Sequence, residues 1–168
     1  RRWMLFLGSN LGNMSTKQAT GFLKMITEPL KKGDKLLLGL DKAKSEGMVL
    51  PAYNDSKGIT AKVNLNLLSR INRELGAEFN VNNFKHSPNY NTEQKCAESF
   101  IESLTKQNVF IKSLNTSFSF DKGEKLKTEI SQKYDDVILS EITSELLIKH
   151  LGSVEDADGL FMDVAFEV

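Results

Sequence analysis

Near its start the chain has two short apolar runs separated by an amphipathic segment, and this pattern limits the possible folds more than any other feature. The first run covers residues 3–7 and stops at Gly8, and the second covers residues 35–41 and ends on an acid. Runs of this length that stop at turn or polar residues are typical of buried strands in a parallel sheet. The segment between them has helical spacing, and Ser15 or Thr16 suits its N-cap. The order strand, helix, strand predicts an α/β fold.

Downstream of residue 84 the apolar pattern changes from helical spacing to strand spacing. Strand-like segments cover residues 85–91, 96–104, 108–112, 116–120 and 126–132. Short turns separate them, such as the glycine-containing turn at 121–123, so these strands are predicted to form an antiparallel region. A last apolar run at 160–166 predicts a closing strand. We therefore expect an α/β part combined with an antiparallel α+β region.

Three helices are predicted, whereas residues 42–58 are predicted to form a loop because turn-forming residues are scattered through them. The second helix ends at Gly76, which suits a left-handed C-terminal cap, and the third begins after Asp135 as its N-cap. The apolar side chains expected to face inward are Phe22, Leu23, Met25, Ile26 and Leu30 in the first helix, Val63, Leu67, Leu68, Ile71 and Leu75 in the second, and Val137, Ile138, Ile142, Leu146 and Leu147 in the third.

Charge and cysteine content argue against several classes of protein. The 168 residues include 22 basic (Lys and Arg) and 22 acidic (Asp and Glu) side chains, whereas nucleic-acid-binding domains usually have a basic excess. We therefore expect no nucleic-acid partner and no binding to an anionic membrane surface. No apolar stretch is long enough to cross a bilayer. The single cysteine, Cys96, cannot form an internal disulfide, which favours a reducing, cytoplasmic location.

The turn at residues 8–13 is a candidate ligand-binding element. It follows a predicted parallel strand, and ligands of α/β sheets commonly bind beyond the carboxyl ends of such strands. Its glycines allow close approach of the backbone, and Asn13 offers both hydrogen-bond donors and an acceptor. The alternative interpretation is a plain strand-to-helix turn without a ligand.

Glu129 and Ser131 form a second candidate site. They lie two residues apart in a predicted strand, so their side chains share one face. A carboxylate beside a hydroxyl can bind a ring N–H or an ammonium group, and a solvated strand face is the alternative. His86 and His150 have no other ligand at a metal-binding spacing, so no metal site is predicted. We interpret His86 as structural.

Seven segments carry a family resemblance that extends over nearly the whole chain. They are residues 5–13, 37–41, 52–61, 64–76, 90–91, 128–134 and 158–161. Their order and spacing, above all between Tyr53 and Gly76, resemble the histidine-specific S-adenosylmethionine-dependent methyltransferase family. The best-known member of that family trimethylates histidine on the ergothioneine pathway.

The resemblance implies a Rossmann-like methyltransferase sheet joined to a substrate-binding region. Residues 1–50 would supply second-half strands and a helix of that sheet, and residues 51–168 the substrate-binding region with the closing strands. The implied cofactor is S-adenosylmethionine, with Gly8 and Ser9 in contact with it. The main glycine-rich cofactor loop is expected upstream of Arg1, so the chain is expected to be the C-terminal part of a longer protein.

The resemblance also implies roles for individual side chains toward an amino-acid substrate. Asn13 and Tyr53 would hold its carboxylate, and Glu129 and Ser131 its imidazole, which agrees with the donors and acceptors that these side chains carry. No residue is expected to act as a nucleophile, acid or base, because catalysis would be mostly positioning of the amine. Ser99 stands where the histidine enzyme has a bulky methionine, which implies a wider or more polar pocket.

Three functions follow from these expectations. The parent protein would methylate the α-amino group of histidine or a related amino acid, or it would methylate a different small amine. A third hypothesis is an amino-acid-binding domain without catalysis. The isolated 168-residue chain is expected to be inactive, because the main cofactor loop would be missing. It is also expected to self-associate through an open sheet edge near residues 3–7.

Overall fold

The computed structural model describes residues 1–168 and divides them into two compact units. The first unit comprises Arg1–Ser45, Asn91–Cys96 and Ile130–Val168. The second unit comprises Glu46–Tyr90 and Ala97–Glu129. The chain therefore passes between the units several times, and each unit has its own apolar core.

The secondary structure consists of nine strands, four α-helices and three short 3₁₀ turns. The strands are β1 (Trp3–Phe6), β2 (Lys35–Asp41), β3 (Phe84–Asn91), β4 (Cys96–Ser103), β5 (Gln107–Ile111), β6 (Thr116–Phe120), β7 (Lys125–Gln132), β8 (Lys149–Glu155) and β9 (Phe161–Glu167). The helices are α1 (Thr16–Thr27), α2 (Glu46–Tyr53), α3 (Ile59–Leu75) and α4 (Asp136–Thr143). The mixed α/β class predicted from the sequence is confirmed.

The first unit is built on a four-stranded sheet in the order β1-β2-β9-β8. Strand β1 is parallel to β2, β9 is antiparallel to β2, and β8 is antiparallel to β9. The predicted strand-helix-strand start and the closing strand are therefore confirmed. Strand β8 was not predicted, because it lies at the sheet edge and nearly all of its side chains are exposed, which leaves no apolar alternation to detect.

Helices α1 and α4 bury their apolar faces in the core of the first unit. Its buried members are Leu11, Ala19, Leu23, Leu36, Leu38, Leu40, Tyr134, Ile138, Leu139, Ile142, Met162, Val164 and Phe166. Ser15, one of the two predicted N-caps, caps α1 in a reciprocal box with Gln18. The prediction that Met25, Val137 and Leu147 face inward was wrong, because their exposed fractions are 59%, 72% and 95%.

Asp34 anchors the turn that leads into β2. Its carboxylate accepts hydrogen bonds from the backbone N–H groups of Lys31 (3.0 Å) and Arg2 (2.8 Å), and it pairs with the Arg2 guanidinium at 2.9 Å. These donors, first among them the Lys31 N–H, lower the pKa of Asp34 to about 2. The turn is therefore fixed by a carboxylate that stays ionised in the folded chain.

Helix α2 in the second unit corrects the prediction that residues 42–58 form a loop. Pro51 removes one helical hydrogen bond, but the carbonyl that loses it belongs to Gly47, which is exposed to water. Val49 is buried against Tyr90 and Ala97. Burial of this side chain favours the helix more than the turn-forming residues disfavour it.

Helix α3 begins at a carboxylate cap and ends at Gly76, whose φ of 62° gives the predicted left-handed C-cap. Asp55 accepts hydrogen bonds from the backbone N–H groups of Thr60 (2.8 Å) and Ile59 (2.9 Å), and these bonds lower its pKa to about 2. The predicted inward stripe was wrong at Val63, Leu67 and Leu75, which are 66%, 39% and 40% exposed.

The strands of the second unit belong to two small sheets. Strand β4 lies between β3 and β7 in one sheet, and β5 pairs antiparallel with β6 in the other. All five strand predictions between residues 84 and 132 are therefore confirmed. Phe79, Phe84 and Phe120 form an aromatic cluster with ring centroids 5.7 to 6.0 Å apart, a spacing that favours tilted and edge-to-face contacts.

Candidate functional site

The turn after β1 is held open by two consecutive residues in the left-handed region. Gly8 has a φ of 82° and Ser9 a φ of 59°, and the latter is unusual for a residue with a side chain. The Ser9 hydroxyl oxygen accepts a hydrogen bond of 3.0 Å from the backbone N–H of Asp41, at the end of β2. The turn is therefore tied to the carboxyl end of the neighbouring parallel strand, where ligands of such sheets commonly bind.

Gly12 brings the same turn against the end of β7. A β-carbon at this position would lie 2.9 Å from the Gln132 carbonyl oxygen and 3.7 Å from the Ser131 hydroxyl oxygen. Only glycine allows this approach. The next residue, Asn13, is exposed. The first unit therefore brings the turn that carries Asn13 directly beside the strand end that carries Ser131.

A buried lysine connects Ser131 to the sheet. The Lys133 side chain is 3% exposed, and its Nζ atom lies 2.7 Å from Asp41 Oδ2 and 3.0 Å from Ser131 Oγ. Asp41 Oδ1 accepts a second ammonium hydrogen bond, 2.5 Å from Lys44 Nζ. Lys133 was not among the predicted site residues. A lysine directly after a strand usually lies on a solvated surface, so its place in the sequence did not indicate a buried ion pair.

Backbone hydrogen bonds fix the segment around Lys133 in the first unit. Its N–H donates to the Lys95 carbonyl at 2.8 Å, and the Tyr134 N–H donates to the Asp41 carbonyl at 2.9 Å. The Gln132 side-chain amide donates to the Gln94 and Lys133 carbonyls at 2.7 and 2.9 Å. The end of β7 is therefore held by main-chain contacts as well as by the ion pair.

Glu129 is an exposed residue of β7 and belongs to the second unit. Its charge acts on His86 of β3: burial lowers the pKa of that imidazole, and the negative charges of Glu129 and Asp55 oppose the shift only in part. His86 Nε2 is buried and has no hydrogen-bond partner. The imidazole is therefore neutral near pH 7, and its environment includes a carboxylate that was predicted to bind substrate.

Ser99 is a buried hydroxyl in the centre of the β3-β4-β7 sheet. It is 1% exposed, and its Oγ atom has no hydrogen-bond partner. Its carbonyl oxygen lies 3.0 Å from the Thr128 hydroxyl, which also lies 2.7 Å from Asn64 Oδ1. The backbone of Ser99 is thus held while its hydroxyl keeps unused hydrogen-bonding capacity, which is uncommon for a buried polar group.

Tyr53 lies at the last position of α2, and its ring is half-buried against Val49, Tyr90 and Ala97. Tyr53 is therefore held by the same apolar cluster that stabilises the helix. Of the predicted site residues, the first unit carries Gly8, Ser9, Asn13 and Ser131, and the second unit carries Tyr53, Ser99 and Glu129.

No group of three or more His, Cys, Asp or Glu side chains is arranged so that it can hold a metal ion. None of the helices combines the length and apolar character needed to cross a bilayer.

A known protein family resembles this chain over its whole length. The family model described as histidine-specific methyltransferase, SAM-dependent, matches residues 1–168. The histidine N-alpha-methyltransferase of Mycolicibacterium smegmatis is 37% identical over 134 residues, which are 80% of this chain and 42% of that protein. The L-tryptophan methyltransferase of Psilocybe serbica is 27% identical over 155 residues, which are 91% of this chain and 43% of that protein.

Among solved structures, an S-adenosylmethionine-dependent methyltransferase from Clostridium acetobutylicum aligns with 99% of this chain and 57% of its own length. The TM-score is 0.48 and the sequence identity is 8%. The chain spans about two fifths of the length of the two curated relatives named above, 42% and 43%.

Proposed function

Because the chain belongs to the histidine-specific, S-adenosylmethionine-dependent methyltransferase family, we propose that it forms part of an enzyme that methylates the α-amino group of histidine or a related amino acid. The observation that carries this proposal is that Glu129 and Ser131 lie two residues apart in β7, so both side chains are on one face of that strand. A carboxylate only accepts hydrogen bonds, whereas a hydroxyl can also donate one. Such a pair can satisfy both nitrogens of an imidazole ring.

We assign the carboxylate end of the substrate to Asn13 and Tyr53. The amide of Asn13 is exposed in a turn beside β7, and the phenol of Tyr53 is carried by a helix whose position is fixed by apolar packing. Amide N–H and phenol O–H groups are suitable donors for a carboxylate. With both ends of the amino acid held, its amine is oriented for reaction, and this orientation is the main contribution of these residues to the rate.

The turn at Gly8 and Ser9 fits one wall of the cofactor site. A β-carbon at Gly8 would meet nothing closer than 4.0 Å, so the backbone at the strand end is open to a ligand. Ser9 Oγ accepts from the Asp41 N–H and keeps its own proton to donate. When bound, S-adenosylmethionine supplies an electrophilic methyl group. The main cofactor loop is proposed to lie outside residues 1–168, so this chain alone is expected to give no turnover.

We also propose that residues 1–50 contribute to the methyltransferase sheet and that residues 51–168 form the substrate-binding region and the closing strands.

Strand β1 pairs only with β2, and it exposes Trp3 and Leu5, at 56% and 57%. An edge of this kind can pair with another chain. The isolated 168-residue chain is expected to self-associate, which its mass in solution would reveal.

A different amine is a second candidate substrate, and Ser99 is the observation that favours it. Its buried hydroxyl has no partner, so a substrate that supplies one would relieve an unsatisfied polar group. A relative that covers 91% of this chain is a tryptophan methyltransferase. The family fold therefore accommodates more than one amino acid, and Ser99 is the proposed point of selection.

The decisive experiment is methyl transfer by the full-length protein that contains this chain. It would be incubated with S-adenosylmethionine and L-histidine, L-tryptophan or other amines, and the products would be read by mass. Addition of one to three methyl groups to histidine supports the proposal. Turnover of another amine with histidine inert supports the second candidate. Cofactor binding without transfer to any amino acid contradicts both and leaves a non-catalytic binding domain.

Glu129→Gln keeps the size of the side chain but removes its charge. We expect kcat/KM for histidine to fall roughly 10- to 100-fold, the range for losing a hydrogen bond to a charged group. Glu78→Gln is the matched control, because Glu78 is an exposed carboxylate of the same unit. It should stay within about twofold of the unsubstituted protein. Equal losses in both variants would mean that Glu129 has no special role.

A further inference from the structure

The ammonium group of Lys133 is buried between a carboxylate and a hydroxyl. Its side chain is 3% exposed, and Nζ lies 2.7 Å from Asp41 Oδ2 and 3.0 Å from Ser131 Oγ. All three residues belong to the first unit. A buried lysine is rare unless its charge is compensated, and here Asp41 compensates it.

The chemistry of the ammonium group fixes the direction of the bond to Ser131. An ammonium has three protons and no lone pair, so Lys133 can only donate. Ser131 Oγ must therefore accept from Lys133, and the hydroxyl proton must point to a different acceptor. A serine oxygen has two lone pairs, and the bond from Lys133 uses one of them. The positive charge 3.0 Å away disfavours a second cationic donor at the other lone pair and directs the hydroxyl proton away from the ammonium.

Asp41 keeps the ammonium in this position. Its second carboxylate oxygen accepts from Lys44 Nζ at 2.5 Å, and its backbone N–H donates to Ser9 Oγ at 3.0 Å. Its backbone carbonyl accepts from the Tyr134 N–H at 2.9 Å. The carboxylate that holds Lys133 is therefore fixed by main-chain bonds on both sides of its own residue.

We infer that Lys133 is a positioning residue that makes Ser131 a hydrogen-bond donor to the substrate. The partner of that donor is the unprotonated ring nitrogen of a histidine side chain, while the Glu129 carboxylate accepts from the ring N–H. A neutral imidazole has one nitrogen of each kind, so the pair selects the neutral form of the ring. This inference rests on the proposed function, because it concerns the same side-chain subsite.

The test is a double-mutant cycle on the binding of L-histidine, measured by calorimetry. The full-length protein is saturated with S-adenosylhomocysteine in every measurement. Ser131→Ala and Lys133→Met should each weaken histidine binding, by about 10-fold, the effect of losing one hydrogen bond. If Lys133 acts through Ser131, the double variant should also be weaker by about 10-fold, whereas independent residues would give about 100-fold. Affinity for S-adenosylhomocysteine should be unchanged in all three variants.

Lys44→Met is the matched control. It removes a second cation from the same carboxylate, yet Lys44 makes its other hydrogen bond to the Leu160 carbonyl and none to Ser131. Histidine affinity should stay within about twofold. If Lys133→Met does not fold, Asp41→Asn is used instead, and it should weaken histidine binding when Ser131 is present but not when alanine replaces it.

The outcomes separate this inference from the proposed function. If the unsubstituted protein binds histidine and the losses of affinity in the two single variants multiply in the double variant, the inference is overturned and the proposed function stands. If the protein binds a different amino acid instead of histidine, the inference is overturned together with the histidine assignment, because its acceptor is the unprotonated ring nitrogen of histidine, whereas methylation of a related amino acid still stands. If no amino acid binds, both fail.

Discussion

The two units treat their buried polar side chains differently. In the first unit Asp34, Gln132 and Lys133 are buried, and each makes hydrogen bonds with its surroundings. In the second unit Asn64, Glu98 and Ser103 are buried with hydrogen-bond partners as well, but the hydroxyl of Ser99 and Nε2 of His86 are buried without one. The first unit also buries the Tyr134 hydroxyl without a partner, but that ring belongs to its apolar core.

Satisfied polar groups hold their neighbours in one arrangement, and in the first unit they hold Ser131 beside Lys133 and Asp41. Unsatisfied buried groups are a cost in the ligand-free protein, which a partner with the right polar atoms removes. Ser99 and His86 in the second unit are groups of this kind.

The largest expected effects come from substitutions that test whether each unit has its own core. Leu38 in the first unit and Ile101 in the second are both fully buried. Leu38→Ala and Ile101→Ala should each lower the free energy of unfolding by about 2–5 kcal/mol, because each leaves a cavity. Hydrogen exchange should increase more in the unit that carries the substitution. Equal increases in both units would mean that they share one cooperative core.

A smaller effect is expected from two serines of the same strand, both buried in β4. Ser103 Oγ donates to the Thr105 carbonyl at 2.8 Å and accepts from Gln107, whereas Ser99 Oγ has no partner. Ser103→Ala should lower the free energy of unfolding by about 1–3 kcal/mol, and Ser99→Ala should leave it unchanged or raise it by up to about 1 kcal/mol. Denaturant titration of both variants measures this. Equal losses would mean that Ser99 is satisfied in solution.

The smallest effects concern two carboxylates, one in each unit. The pKa of Asp34 and that of Asp55 are both about 2, below the ordinary 3.8, chiefly because the backbone N–H groups of Lys31 and Thr60 donate to them. The hydrogen bonds that lower these pKa values stabilise the fold above about pH 4. Their contribution to the free energy of unfolding is lost as the pH falls toward 2. Asp34→Asn and Asp55→Asn should each flatten the loss of thermal stability in this window.

Asp121→Asn serves as the control for these acid titrations, because Asp121 is an exposed carboxylate whose pair with Lys106 is at the surface. Its melting temperature should follow that of the unsubstituted protein from pH 5 to pH 2. If Asp55→Asn alone flattened the curve, the acid sensitivity would belong to the start of α3 and not to the turn before β2.

Local sequence patterns predicted most of the strands and the ends of the helices. A strand is recognised by a short apolar run, and a helix end by a residue such as Asp135 or Gly76 that satisfies a local requirement. Helix α2 was missed because Gly47 and Pro51 disfavour a helix locally, and the burial of Val49 that stabilises it depends on distant parts of the chain.

The inward faces of the helices were predicted less well than the helices themselves. Val63 and Leu68 both fit an apolar stripe by spacing, but only Leu68 is buried, with 1% exposed, against 66% for Val63. Spacing alone gives a stripe about half a helix wide, and the neighbouring elements decide which part of it is covered. This choice depends on packing that no local pattern contains.

The residue types and the family resemblance point to Glu129, Ser131 and Asn13 as candidate site residues. The ion pair between Lys133 and Asp41 was not predicted, since the two residues are 92 positions apart and meet only when the end of β7 reaches the end of β2. Roles assigned to individual residues stay predictions until the substitutions proposed above are made.

The close approach at Gly12 fixes the distance between two parts of the first unit, the turn that carries Asn13 and the strand end that carries Ser131. A single added carbon would lie 2.9 Å from the Gln132 carbonyl, so the turn with Asn13 and the strand end with Ser131 stand at the shortest separation that a backbone allows. Because Asn13 and Ser131 are proposed to hold opposite ends of the substrate, this separation would limit the length of the amino acid that both side chains can hold at once.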